Sequence, residues 1–379
     1  MSSGSLPDQE IYIWATGQSD NVGDSVLRRV YIDALRPFGI VAVWVGKSGA
    51  GYTAGLRLQD CDQLYESFFR WMFGIYRSML RGKPTLAINA GEFTLTRRYF
   101  LWGLFLFPTA ALIRLRGGNV LWLGAAIPER RRLLGLPYRL IARVSHILRW
   151  REPESSSMLC EAPMMPDWAF ASATEDSSIA QVESTVQREF IAVSVRFDRS
   201  FPSNNWIEAV QSLAVRHNKS IVLVPQVQRD HIPARRIAEI LGAQVIEWRN
   251  DNHADQEAIV RSWYRRSDMV ISDRLHALII GMTEGAVPLG WTEVASGKIL
   301  RHFSGLNMPW VGSSGDKAAD QLQGLSPALL ADLRQQTIEN LDRALSGIRD
   351  ARSSIGIVLL PGVRNYSDCV ETGPEKVSG

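Results

Sequence analysis

Short apolar runs alternate with longer stretches of helical spacing along the whole chain. The first run, residues 11–15, leads through the loop Thr16-Gly17-Gln18-Ser19-Asp20-Asn21-Val22-Gly23 into a helix predicted over 24–36. Val26, Leu27, Val30, Tyr31, Ala34 and Leu35 form its apolar face, and Gly39 closes it. Further strands are predicted at 41–45, 86–89, 120–123 and 147–150, with helical material between them. Alternation of this kind predicts a parallel sheet covered on both faces.

Residues 171–187 are small and polar and read as a linker. Beyond them the alternation repeats. Strands are predicted at 190–195, 221–224, 245–248, 269–272 and 287–289, and helices near 206–217, 233–241, 254–267, 275–284 and 326–349. The predicted fold class is α/β, with two facing Rossmann-like doubly wound domains. Residues 1–10 form a disordered tail, 11–170 the N-terminal domain on the acceptor side, and 188–352 the C-terminal domain on the donor side. The tail 353–379 is expected to be partly disordered, with 355–360 free to dock. In such sheets ligands sit beyond the carboxyl ends of the strands.

A length of 379 residues suits two domains, and 46% hydrophobic residues with 12 tryptophans supply real cores. A net charge of +3 is too small to imply nucleic acid as a partner. Cys61, Cys160 and Cys369 are far apart and form no CxxC pair, which argues against a disulfide framework or cysteine zinc site and suits a reducing cytoplasm. His217, His231, His253 and His302 lack metal-ligand spacing and read as surface or loop residues. The polar start shows no signal-peptide pattern. The most apolar window, 100–113, contains Pro108 and is shorter than the ~20 residues of a spanning helix, so no membrane span is expected.

The densest chemistry is Ser272-Asp273-Arg274-Leu275-His276, between the apolar run 269–271 and a second apolar run that opens a helix. A helix N-terminus favours anions, arginine offers a planar fork for phosphate or carboxylate, and histidine moves protons near neutral pH. An arginine paired to a neighbouring acid and a histidine capping a strand end would also account for these residues. Arg196 ends the first strand of the second half, beside Asp198, and Gln226 follows the next strand. A parallel sheet brings Arg196, Gln226 and Arg274 with His276 to one rim. In the first half, the loop 17–24 lacks the Gly-Lys-Ser/Thr of a Walker loop and the pattern GxGxxG. Its Asp24 would repel phosphate, which favours a sugar hydroxyl as guest; a structural turn capped by Asn21 or Asp24 is the alternative.

Arg130, Arg131, Arg132, Arg139, Arg143, Arg149 and Arg151 make a basic region interleaved with apolar residues. It suits a solvated face of a packed helix, with an anionic membrane surface as the alternative.

In their order, several of these pieces resemble the polysaccharide pyruvyl transferase family. They are Asn21-Val22-Gly23-Asp24, Arg151-Glu152-Pro153-Glu154-Ser155 with glutamate in place of the family's aspartate, Pro166-Asp167, Arg196, Pro225-Gln226 with Asp230, and Ser272 to His276 followed by Lys298. The similarity spans about residues 11–345. It implies an architecture like that of the two-domain GT-B glycosyltransferases. It also implies a reaction that moves the enolpyruvyl unit of phosphoenolpyruvate onto sugar hydroxyls, usually closing a pyruvate ketal, with no cofactor beyond the phosphoenolpyruvate donor. On the matching positions Arg196, Arg274 and His276 look like the phosphoenolpyruvate-binding and catalytic set; with Asp24 as the candidate for orienting or deprotonating the acceptor hydroxyl, the expected catalytic residues are His276, Arg274 and Asp24. Arg196, Leu275, Gln226, Asn21, Gly23 and Lys298 are the implied substrate-binding residues. The expected partners are phosphoenolpyruvate and a sugar acceptor, with a lipid-linked acceptor and peripheral membrane contact both compatible. A longer acid at Glu152 is expected to pair with Arg151. One rival reading is a nucleotide-sugar glycosyltransferase with Glu293 on the ribose. Another is a non-catalytic assembly protein held on a membrane by the region 130–151.

Overall fold

The structure, a computed structural model, describes residues 9–127, 131–173, 187–291, 298–303, 306, 311–313 and 316–360. In its first sheet, β1 (Glu10–Trp14), β2 (Ile40–Trp44), β3 (Gln63–Tyr65), β4 (Thr85–Ala87), β5 (Asn119–Ala125) and β6 (Ile147–Trp150) lie in the order β3-β2-β1-β4-β5-β6. In the second, β7 (Phe190–Ser194), β8 (Ser220–Leu223), β9 (Gln244–Val245), β10 (Ser267–Ser272), β11 (Val287–Trp291) and β12 (Val311–Ser313) lie in the order β12-β11-β10-β7-β8-β9. Pairing is parallel within both sheets. Counted from its own first strand, the second sheet repeats the winding of the first. Strand order therefore reverses twice, between β1 and β4 and between β7 and β10, and the crevices for ligands open at those two points.

Side-chain alternation explains why both faces are covered. Ile11 and Ile13 point into one core, while Tyr12 and Trp14 point into another. The second sheet divides in the same way, with Val270 on one side and Met269 and Ile271 on the other. The inner core joins the halves: Val26 and Val30 share it with Leu278, Tyr264 and Ile348.

The edge strands β3 and β12 lie outside the predicted set. Each has three residues, and Gln63-Leu64-Tyr65 has no apolar run to announce it. β9 spans two residues where four were expected. The last helix, Pro327–Leu359, runs past the predicted boundary at 353. It starts against the second sheet through Leu330 and Leu333 and ends in the inner core through Ile348, Ile355 and Leu359. Arg149 of the first half fastens it by donating to Asp350 at 2.7 Å and to Ser354 Oγ at 2.9 Å. The window 100–113 belongs to a longer helix, Arg97–Leu115, which among the described residues is long and apolar enough to cross a membrane. Most of the expected linker, 174–186, lies outside the described residues.

Candidate active site

The strand ends at the two crossover points face one another across a cleft of about 620 Å³. From the first half, Thr16 and Gly17 follow β1, Glu92 and Thr94 follow β4, and Arg151 follows β6; Asn21, Asp24 and Arg28 come from the first turns of the helix Val22–Leu35. From the second half, Arg196 and Arg199 follow β7, Arg274 and His276 follow β10, and Arg301 comes from the helix Lys298–Phe303. Among the described residues six arginines thus line the cleft, against the carboxylates of Asp24 and Glu92.

The turn after β10 is held from every side. Ser272 Oγ donates to Ser194 O at 2.7 Å on the neighbouring strand and accepts from Arg274 N at 2.9 Å. Asp273 Oδ1 accepts from Arg196 N at 2.9 Å, tying the ends of β7 and β10 together. Burial pushes the Asp273 carboxyl up to about 7, against the pull of Arg274 and Arg196. Ser194 and Ser272 are register partners, so Arg196 and Arg274 project from equivalent positions on strands roughly 4.8 Å apart. Both guanidinium groups are oriented by carboxylates. Arg274 donates twice to Asp230, at 2.8 and 2.5 Å. Arg196 donates twice to Asp198, at 2.9 and 2.7 Å, and these bonds lower the Asp198 carboxyl to about 2. The Asp198 pairing and the cleft-lining position are thus both true of Arg196.

His276 sits at the cleft wall, 4% exposed. Its Nε2 lies 3.7 Å from Asp167 Oδ2 and has no hydrogen-bond partner among the described residues. Arg151 donates to the same Asp167 oxygen at 2.5 Å. Burial alone would raise the Asp167 carboxyl, but Arg151, then His276, overrides it and holds it well below the usual carboxylate range. A fixed negative charge behind an imidazole helps to orient the ring.

Three predicted substrate contacts do not line the cleft. Gln226 is 1% exposed and donates its amide to Asn21 Oδ1 at 2.9 Å, which joins the two halves. Gly23 packs beneath this bond, where a Cβ would come within 2.3 Å of Gln226 Nε2 and 2.4 Å of His276 Nδ1. Leu275 is 5% exposed and belongs to the inner core. Asn21 lines the cleft but also caps its helix, accepting from Gly23 N at 3.1 Å. Asp24 Oδ2 accepts from Gln18 N at 2.9 Å, and Asp24 Oδ1 is 3.4 Å from Arg28. The side chain of Lys298 and the whole of Glu293 lie outside the described residues.

Glu152 does not pair with Arg151. It is fully buried and accepts from Arg301 Nε at 2.8 Å and from Ser155 Oγ at 3.1 Å. The extra methylene of glutamate extends toward an arginine from the other half. The basic region likewise divides: Arg151 enters the cleft, Arg149 holds the last helix, and Arg131, Arg132 and Arg143 face outward. Two histidines read as surface or loop residues are interior. His253 is fully buried, with Nδ1 3.0 Å from Ser25 Oγ and Nε2 2.8 Å from Ser19 O, and His302 is 6% exposed beside Glu152. Both fill the seam between halves, which a single sequence does not reveal. Sequence reading missed Arg28, Arg199 and Arg301, although two adjacent arginines at 28 and 29, set among Val26, Leu27, Val30 and Tyr31, were a legible warning.

No curated protein matches the chain by sequence. Among solved structures, it is similar to UDP-GlcNAc 2-epimerase from Neisseria meningitidis bound to UDP-GlcNAc (TM-score 0.58, 13% identity, 93% of this chain and 100% of that one). It is also similar to the UDP co-structure of S. aureus MnaA (TM-score 0.57, 13% identity, 93% and 97%) and to a glycosyltransferase from Rickettsia africae (TM-score 0.56, 12% identity, 93% and 99%). At such identities the likeness concerns the fold, which is GT-B-like. The profile of the family described as polysaccharide pyruvyl transferase matches residues 55–287, more than half of the chain. That span includes Arg151, Asp167, Arg196, Asp230, Arg274 and His276 but not the loop 17–24. The chain therefore belongs to the polysaccharide pyruvyl transferase family and is a transferase by that membership.

Proposed function

We propose that the cleft binds phosphoenolpyruvate and transfers its enolpyruvyl unit to hydroxyls of a saccharide, closing a pyruvate ketal. The observation behind this reading is the pair Arg196 and Arg274, which project from register-matched strand ends into one hollow beside His276. Phosphoenolpyruvate presents a phosphate and a carboxylate; Asp198 and Asp230 each hold the Nε–Nη2 edge of one arginine, which leaves the Nη1 donors of Arg196 and Arg274 for the two anions.

In the reaction, C3 of the enol takes a proton and C2 becomes cationic. An acceptor hydroxyl adds to C2 and gives up its proton. The C2–O bond to phosphate then breaks, and a second hydroxyl adds at C2 and loses its proton. Of the two protons released by the hydroxyls, one balances that gained by C3 and the other leaves with phosphate. His276, held between Asp167 and Gly23, is the proposed proton carrier. Asp24, on the opposite wall, orients the acceptor hydroxyl. General acid–base catalysis of this kind contributes roughly 10²–10⁴-fold.

The test is incubation with phosphoenolpyruvate and free or lipid-linked oligosaccharides, reading phosphate release and acceptor mass. Acceptor-dependent phosphate release with a pyruvylated product supports the reading. Release of a nucleoside diphosphate from a nucleotide sugar, with phosphoenolpyruvate untouched, overturns it.

A further inference from the structure

The outer surface of the first half has an apolar face that the cleft chemistry does not use. The helix Phe68–Arg81 buries Trp71, Met72, Ile75 and Met79 against the sheet and turns Phe69, Phe73, Tyr76 and Leu80 outward, one stripe at helical spacing. Phe73 is 69% exposed and Leu80 is 80% exposed. The neighbouring helix Arg97–Leu115 does the same: Gly103, Leu106, Ala110 and Ile113 face inward, while Leu101, Leu104, Phe105, Leu112 and Leu115 face outward. The helices lie side by side, with the rings of Phe69 and Phe105 5.8 Å apart and Tyr76 OH 2.9 Å from Thr109 Oγ1. Two adjacent exposed stripes make one patch, and contiguous apolar patches of that kind mark contact surfaces.

Charge selects the partner. From Phe68 to Trp150 the only acids are Glu92 and Glu129, against fourteen arginines and lysines. Arg70, Arg77 and Arg81 are exposed between the apolar positions of the first stripe. Arg114 and Arg116 are exposed at the end of the second, where Lys83 packs on Gly117. Apolar side chains that enter the acyl boundary, interleaved with cations at headgroup level, suit a bilayer of anionic lipid. The helix Arg97–Leu115 is long enough to span a membrane, yet its inner face belongs to the core of the first half, which leaves its outer face alone for contact.

We propose that this two-helix face docks the protein on an anionic membrane surface. The helix Arg97–Leu115 starts at the cleft, which Tyr99 lines, and its apolar stripe begins at Leu101, about 3 Å further along the axis. Docking therefore sets the cleft mouth beside the headgroups, within reach of an acceptor anchored in lipid.

The test is co-sedimentation with phosphatidylglycerol–phosphatidylcholine vesicles and with pure phosphatidylcholine vesicles, with no substrate present. The expected result is binding to the anionic vesicles roughly tenfold tighter than to the neutral ones, weakened by added salt. The double variant Phe73→Asp, Leu80→Asp is expected to lose roughly tenfold in vesicle affinity at an unchanged melting temperature, since both side chains are exposed. Equal binding by the variant, or no binding by the unaltered protein, overturns the proposal. So does a dimer in sedimentation velocity that the double variant dissociates, because a second copy would then cover the face. Because no donor is present, failure here leaves the phosphoenolpyruvate reading to its own test.

Discussion

Arg274 is clamped by Asp230 through two hydrogen bonds, and Asp230 itself accepts from the backbone N–H groups of Phe197 at 3.0 Å and Val227 at 3.3 Å. One fully buried carboxylate thus ties the loops after β7 and β8 to the arginine after β10. Asp230→Ala should raise the KM for phosphoenolpyruvate about tenfold with little change in acceptor KM, because Arg274 loses its orientation. Removing one partner of a buried pair also costs about 3–5 kcal/mol of stability, so denaturant unfolding should register the change. A variant with wild-type donor KM would show that Arg274 needs no clamp.

Gly23→Ala should disable the enzyme without touching any charged group. The new methyl would meet Gln226 and His276 at under 2.5 Å, forcing the halves apart or His276 off its seat. Overpacking of this kind costs roughly 1–3 kcal/mol. Steady-state kinetics should show a fall in kcat larger than any change in donor KM. An active Gly23→Ala protein would mean that the seam yields easily.

Acid should loosen the contact between halves through Glu257. Burial would raise its carboxyl, but Arg29 and Arg261 outweigh burial and lower it from 4.5 to about 2. A depressed carboxyl stabilises the fold above its unfolded value and loses that contribution as pH falls from about 5 to about 2. The amount is about 3 kcal/mol. Glu257→Gln should therefore unfold more readily at pH 7 but show a shallower loss of stability between pH 5 and 3. Parallel pH–stability curves for the two proteins would contradict this role.

His276→Ala should abolish product formation while the melting temperature stays within a few degrees of wild type. Asp167→Asn should lower kcat at least about tenfold in steady-state kinetics, since it removes the carboxylate shared by Arg151 and His276 while keeping its shape. Full turnover by His276→Ala would take the residue out of the mechanism.

Much of this was legible in single residues because strand periodicity and loop chemistry are local. The alternation of Ile11, Ile13 and Val41 with Tyr12, Trp14 and Trp44 announces a doubly covered parallel strand pair. A parallel sheet then places Arg196 beside Arg274. What stayed hidden depends on how the halves meet. Gln226, Gly23 and Leu275 follow the right strands yet are spent on the seam and the core. His253 and Glu257 look like surface residues of an amphipathic helix until the first half covers them. Arg301 and Glu152 find each other over a sequence separation of 149, beyond the reach of any local pattern. The exposed stripe from Phe69 to Leu80 resembles core spacing in sequence, and only burial distinguishes it.

The most direct test of the account is calorimetric titration of phosphoenolpyruvate into the unaltered protein and into Arg196→Ala. Losing one charge-assisted hydrogen bond of about 1.5–3 kcal/mol predicts donor affinity lower by roughly ten- to a hundredfold, in a protein that still melts cooperatively. Equal affinity in the two proteins, or no uptake of phosphoenolpyruvate by the unaltered one, would contradict the claim that the arginines of neighbouring strand ends hold the donor.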